Sequence, residues 1–176
     1  MNKIYIPTIA IIAVIVAITS FVFIWKNYIK ESGNFAKSVD NLNLSDNDKL
    51  KSNINTFMES QAGQGYLGKQ NYHCSNHLYG YDDKYAYAWV YCSGFMVKNN
   101  NELEEGTGFS IPTRLEYRQP NFYIFAYNQP GDGSSYDTTL RQIFPKKFYD
   151  LAYLHLPNDK IDELNREVRD KARQAK

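Results

Sequence analysis

From Ile4 to Trp25 the chain carries no charged side chain (IYIPTIAIIAVIVAITSFVFIW), and this run constrains the rest of the fold more than any other feature. At ~1.5 Å per helical residue it reaches about 33 Å, enough to cross a bilayer core of roughly 30 Å. Residues 4–25 are therefore expected to form a transmembrane helix, with the lipid bilayer as the first partner. Tyr5 and Trp25 stand at its two ends, where amphipathic rings prefer the headgroup layer, and Lys3 and Lys26 lie just outside them. Pro7 falls in the first turn, where its missing N–H costs little.

A cleaved signal peptide is the main competitor. Its apolar region would run about 7–15 residues and end at a small-x-small site, whereas this run is longer and closes on Phe-Val-Phe-Ile-Trp. No cysteine lies near the segment, so a diacylglycerol anchor is not indicated. A type IV pilin start is similar in length but carries a Gly-Phe junction and a buried Glu that this chain lacks. Lys3 on one side and Lys26, Lys30 and Lys37 on the other leave the positive-inside rule undecided. A short N-terminal stub is easily retained in the cytoplasm, so the body is expected outside it.

Residues 26–44 are polar and aperiodic and read as a stalk. Residues 45–176 then suffice for one domain with a real core. The formal net charge of +1 gives a nucleic-acid partner no electrostatic support.

Within that domain, Ser45 and Asp48 resemble a capping box, and Leu50, Ile54, Phe57 and Met58 recur at helical spacing, predicting a helix over 46–60. Strands are expected over 71–79, 85–95, 109–117 and 121–128, each rich in aromatic and β-branched residues. Pro112 marks its run as an edge strand. A short helix through Leu140, Ile143 and Phe144 stops at Pro145. Helices over 146–155 and 159–174 follow, the last with Ile161, Leu164 and Val168 on one stripe. One helix, a meander and more helices specify an α+β domain, its four-stranded antiparallel sheet flanked by N- and C-terminal helices.

The second strand alternates Tyr85, Tyr87, Trp89 and Tyr91 with Ala86, Ala88, Val90 and Cys92. The small face would admit a helix closely. The aromatic row has two readings: core for a second layer, or a ligand surface. Cys74 and Cys92 come opposite each other if the first hairpin turns through Asp82 to Lys84, and miss if it turns at Asp82-Asp83 alone. With an even cysteine count and an oxidising exterior, a Cys74–Cys92 disulfide is the leading reading, ahead of two buried thiols or a functional thiol.

Motifs for chemistry are weak. Gly63-Gln64-Gly65-Tyr66-Leu67-Gly68 matches G-x-G-x-x-G, but a helix precedes it and a strand follows, the reverse of a dinucleotide site. His73, Cys74 and His77 lack a converging third ligand, since along a strand Cys74 points away from both histidines. Asp132, Ser134 and Asp137 are only loosely like a calcium loop and read as a turn capping the next helix through Asp137. Asp82 and Asp83 read as solvated turn residues. Neither a metal nor any other cofactor is expected.

The plan of span, stalk and α+β outer domain is similar to that of many bacterial envelope proteins, a likeness of architecture that does not convey function. The leading expectation is a single-span envelope protein whose non-catalytic outer domain binds a protein or cell-wall ligand. The alternative is a membrane-anchored extracytoplasmic hydrolase or metal-dependent enzyme using His73, His77 or Asp132.

Overall fold

The computed structural model describes residues 37–38, 44–64, 70–98 and 101–176. The proposed span at 4–25 lies outside them, as do most of the stalk and the last four residues of the G-x-G-x-x-G string. Among the described residues no helix is long and apolar enough to cross a membrane.

Five strands form one antiparallel meander in sequence order: β1 (Lys37–Ser38), β2 (Asn71–Tyr81), β3 (Tyr85–Val97), β4 (Leu103–Arg118) and β5 (Tyr123–Asn128). Four are substantial. The fifth, β1, is a two-residue strand within the expected stalk, pairing with Gly80 and Tyr81 at the end of β2. Helix α1 (Leu44–Gln64) precedes β2, and α2 (Tyr136–Ile143), α3 (Lys146–Tyr153) and α4 (Asn158–Gln174) follow β5. Helix α1 starts one residue before Ser45, which therefore lies inside its first turn, and it extends to include Gly63.

Alternation along β3 decides how the layers stack. Ala86, Ala88, Val90 and Cys92 face α1 and pack with Leu50, Ile54 and Met58, whose spacing puts them on one helical stripe. Tyr87 and Trp89 point to the other face, where Leu140, Phe144, Phe148, Ala152 and Leu164 of the C-terminal helices cover them. Val168 and Ala172 of α4 close the far end over Phe95. The domain is thus helix, sheet and helices in three layers, with small side chains admitting α1 and large ones filling the second core.

Cys74 and Cys92 form a disulfide, with Cα atoms 4.1 Å apart. The route to that register differs from a simple hairpin. Asp82 N–H donates to the Tyr85 carbonyl at 2.8 Å, so the turn is tightest at Asp83-Lys84. Near it Gly80 faces Tyr87 and Tyr81 faces Ala86; an irregularity around Tyr79 then shifts the register by one, bringing Leu78 opposite Ala88 and Cys74 opposite Cys92. Asp82 anchors the turn, accepting from the amides of Lys84 and Tyr85 and from the Tyr87 hydroxyl.

Strand β4 lies between β3 and β5, so Pro112 is not on the last strand. However, β5 pairs only with Arg114–Arg118, and the outer side of β4 at Pro112 has no strand partner among the described residues. The missing N–H is accommodated there.

Candidate binding surface

The two edges of the sheet are finished differently. On β2, the outward-pointing N–H of Cys74 donates to Glu59 Oε1 of α1 at 2.9 Å, and the Cys74 carbonyl accepts from Lys171 Nζ of α4 at 2.5 Å. Glu59 and Lys171 lie 3.9 Å apart, so a charge pair reaches over the edge and occupies its backbone. Asn76 joins them by donating to the Lys51 carbonyl and Asn55 Oδ1. At Cys74, side chains thereby fill the positions that another strand would use.

Edge β5 is built otherwise. Its entry turn is clamped by α1: Asn53 Nδ2 donates to the carbonyls of Asn121 and Phe122 at 2.9 and 3.0 Å, and Lys49 Nζ to Asn121 Oδ1 at 3.2 Å. Phe122 sits at φ 53°, an unfavourable region for a bulky side chain, and is held there by these bonds and by burial against Tyr117. Beyond the turn, Tyr123, Phe125 and Tyr127 are 65%, 40% and 38% exposed. Tyr127 meets Phe57 of α1 edge-on, while the Arg118 guanidinium lies 4.7 Å from the Phe125 ring centre. A groove of about 530 Å³ runs between α1 and β5, with Phe57, Tyr123 and Ile124 as its apolar part and Lys49, Asn53 and Ser60 along its wall.

The aromatic row of β3 does not offer such a surface. Trp89 and Tyr87 are only 4% and 5% exposed, and Tyr85 and Tyr91 are half-buried against the same core. Trp89 Nε1 donates to Ser110 Oγ at 2.7 Å, and Tyr87 packs on Phe144 and Phe148. The row is the floor of the second core layer, because the C-terminal helices need a large apolar face on which to dock.

The histidines are not brought together. His73 lies against Phe95 and lines a shallow depression with Glu59 and Lys171. His77 packs on Tyr79, and burial followed by Lys51 and Lys160 holds its imidazole below the ordinary value. His155, in a left-handed conformation at the end of α3, covers Trp89 and stacks on Tyr136. Among the described residues no three His, Cys, Asp or Glu converge as a metal site. Asp132 is exposed in the loop before α2. Asp137 lies within the first turn of α2 rather than capping it; it accepts from the Tyr149 hydroxyl and from Arg141, and these bonds keep its carboxyl below the usual range.

The surface at β5 was missed from sequence because Asn121–Asn128 reads as one more aromatic strand. Only its place at the end of the meander, with no later strand among the described residues, could have marked it as an edge. Comparison with protein-family models, curated proteins and solved structures finds no match.

Proposed function

We propose that this chain is a single-span envelope protein, held in the cell membrane by residues 4–25, whose domain outside the cytoplasm is a non-catalytic binding module for a protein or cell-wall ligand. The observation that carries the binding role is the exposure of Tyr123, Phe125 and Tyr127 along the edge strand β5, with Tyr123 lining the α1–β5 groove. Aromatic side chains exposed along an edge strand mark interaction sites, and Tyr and Phe are favoured anchors there. Leu151, Tyr153 and Leu154 on and after α3 are also exposed, but they border none of the grooves described for this domain. The anchoring role rests on the uncharged run and its flanking aromatic and lysine residues. An extracytoplasmic location also suits the Cys74–Cys92 disulfide.

The test has two arms. Full-length protein should remain in the membrane through a carbonate wash, and protease added outside intact cells should digest the region after residue 26. Release by carbonate, or protection of that region, would refute the topology. The triple change Tyr123→Ser, Phe125→Ser, Tyr127→Ser should fold normally and lose ligand binding, whereas Leu151→Ser with Leu154→Ser should keep it. Binding that survives the triple change would remove β5 as the site.

A further inference from the structure

We propose that the outer edge of β5 receives a short extended peptide of a partner protein, paired backbone to backbone, with an apolar side chain in the α1–β5 groove and an acidic one beside Lys49 or Arg118. This rests on the binding-module reading and narrows it from protein or cell-wall ligand to peptide.

The contrast between the two edges carries the argument. On β2, Glu59 and Lys171 occupy the outward N–H and C=O of Cys74, and β1 covers Gly80 and Tyr81. On β5, the last strand of the meander, the outer backbone row has no strand partner among the described residues. An extended chain is the ligand whose hydrogen-bonding groups repeat in step with such a row. The groove beside it has an apolar floor in Phe57 and Ile124, suited to a side chain projecting from the added strand.

Charge narrows the ligand further. Lys49 at the groove and Arg118 over Phe125 have no carboxylate within ion-pair distance among the described residues, unlike Lys98, Arg141, Lys160 and Arg169. An acidic side chain on the peptide complements both. The register also slips within β5, where Glu116 faces Ala126 but Tyr117 faces Ile124, leaving Phe125 as an extra residue. Such a bulge interrupts the edge, so pairing is confined to the few residues on either side of it and long edge-to-edge pairing of two copies of this chain is disfavoured.

The experiment uses the full chain in nanodiscs and an array of ten-residue Val/Thr peptides, each with Phe, Leu or Tyr at one position and Asp, Asn or Lys at another. Affinity is read by fluorescence anisotropy and the site by amide hydrogen exchange. Asp-bearing peptides should bind at least tenfold more tightly than their Lys twins and slow exchange at 123–128. The exposed double variant Lys49→Glu, Arg118→Glu, with unchanged circular dichroism, should reverse that preference. Absence of binding across the array, equal affinity for Asp and Lys peptides, or protection away from 123–128 would each overturn the proposal. Protection of 123–128 by a soluble peptidoglycan fragment, with none by peptide, would overturn the peptide assignment and leave β5 as the binding surface.

Discussion

Replacing Trp89 by Ala separates a packed row on β3 from an open one. The side chain is 4% exposed and lies between β3 and the C-terminal helices, with His155 edge-on to its indole at 5.8 Å. A buried aromatic of this size removes on the order of 200 Å² from water, which at ~25 cal/mol per Å² is about 5 kcal/mol. The unfolded chain already hides part of that area, so the figure is an upper bound, and comparable truncations cost about 3–5 kcal/mol. The lost hydrogen bond adds little, because its acceptor Ser110 is exposed and can turn to water. We therefore expect about 4 kcal/mol, a large share of the roughly 5–15 kcal/mol that stabilises an ordinary domain. Urea unfolding of wild type, Trp89→Phe and Trp89→Ala, followed by circular dichroism, measures it, and Trp89→Phe should lose much less. A loss below about 1 kcal/mol for Trp89→Ala with an unchanged m-value would refute the three-layer packing.

The disulfide closes a loop with a sequence separation of 18, worth about 3 kcal/mol in the chain-entropy model; Cys74→Ala with Cys92→Ala should melt lower yet keep the native dichroism, and an unchanged melting temperature would contradict this. Asn53→Ala removes two hydrogen bonds to the β4–β5 turn, so about 1–2 kcal/mol of stability should be lost, with faster amide exchange over 121–128 as the check. Burial pushes the Tyr117 phenol up to about 12 and those of Tyr79 and Tyr87 higher. The native state then holds these protons more tightly than the unfolded chain, so stability should be full below pH ~10 and fall as pH rises through 12, visible as cooperative unfolding that coincides with tyrosinate absorbance. Asp137 has the opposite sign: Tyr149 and then Arg141 lower its value below 3.8, so its contribution is present above about pH 4 and lost as pH falls through the folded value. Asp137→Asn should flatten that acid limb of the melting curve relative to wild type.

Much of this domain is legible in the sequence where side chains obey a period. Alternation of large and small residues along 85–92 implies two different layers, and the stripe Leu50, Ile54, Met58 implies the helix that meets the small face. The cysteine pairing also follows from strand register, although a bulge at Tyr79 rather than loop length alone sets it. Edge chemistry is not legible in this way. Glu59 and Lys171 are far apart in sequence and meet on Cys74 only once α1 and α4 lie on opposite faces of the sheet. Tyr123, Phe125 and Tyr127 resemble the buried Tyr87 and Trp89 in type and spacing; what differs is that they lie on an edge strand and stay exposed, with Tyr127 meeting α1 on one side through Phe57. Composition also cannot distinguish Asp137 as a cap from Asp137 as the acceptor of Tyr149, since that choice depends on how α2 meets α3.

The claim that β5 is the working face of an anchored outer domain is tested most directly by photo-crosslinking in intact cells. A benzophenone side chain is placed at position 123 or 125 of the full-length protein, with position 163 on the exposed side of α4 as the control. We predict one discrete adduct from 123 and 125, competed away by the acidic peptides, and none from 163. Adducts from 163 with none from 123 or 125 would contradict the account.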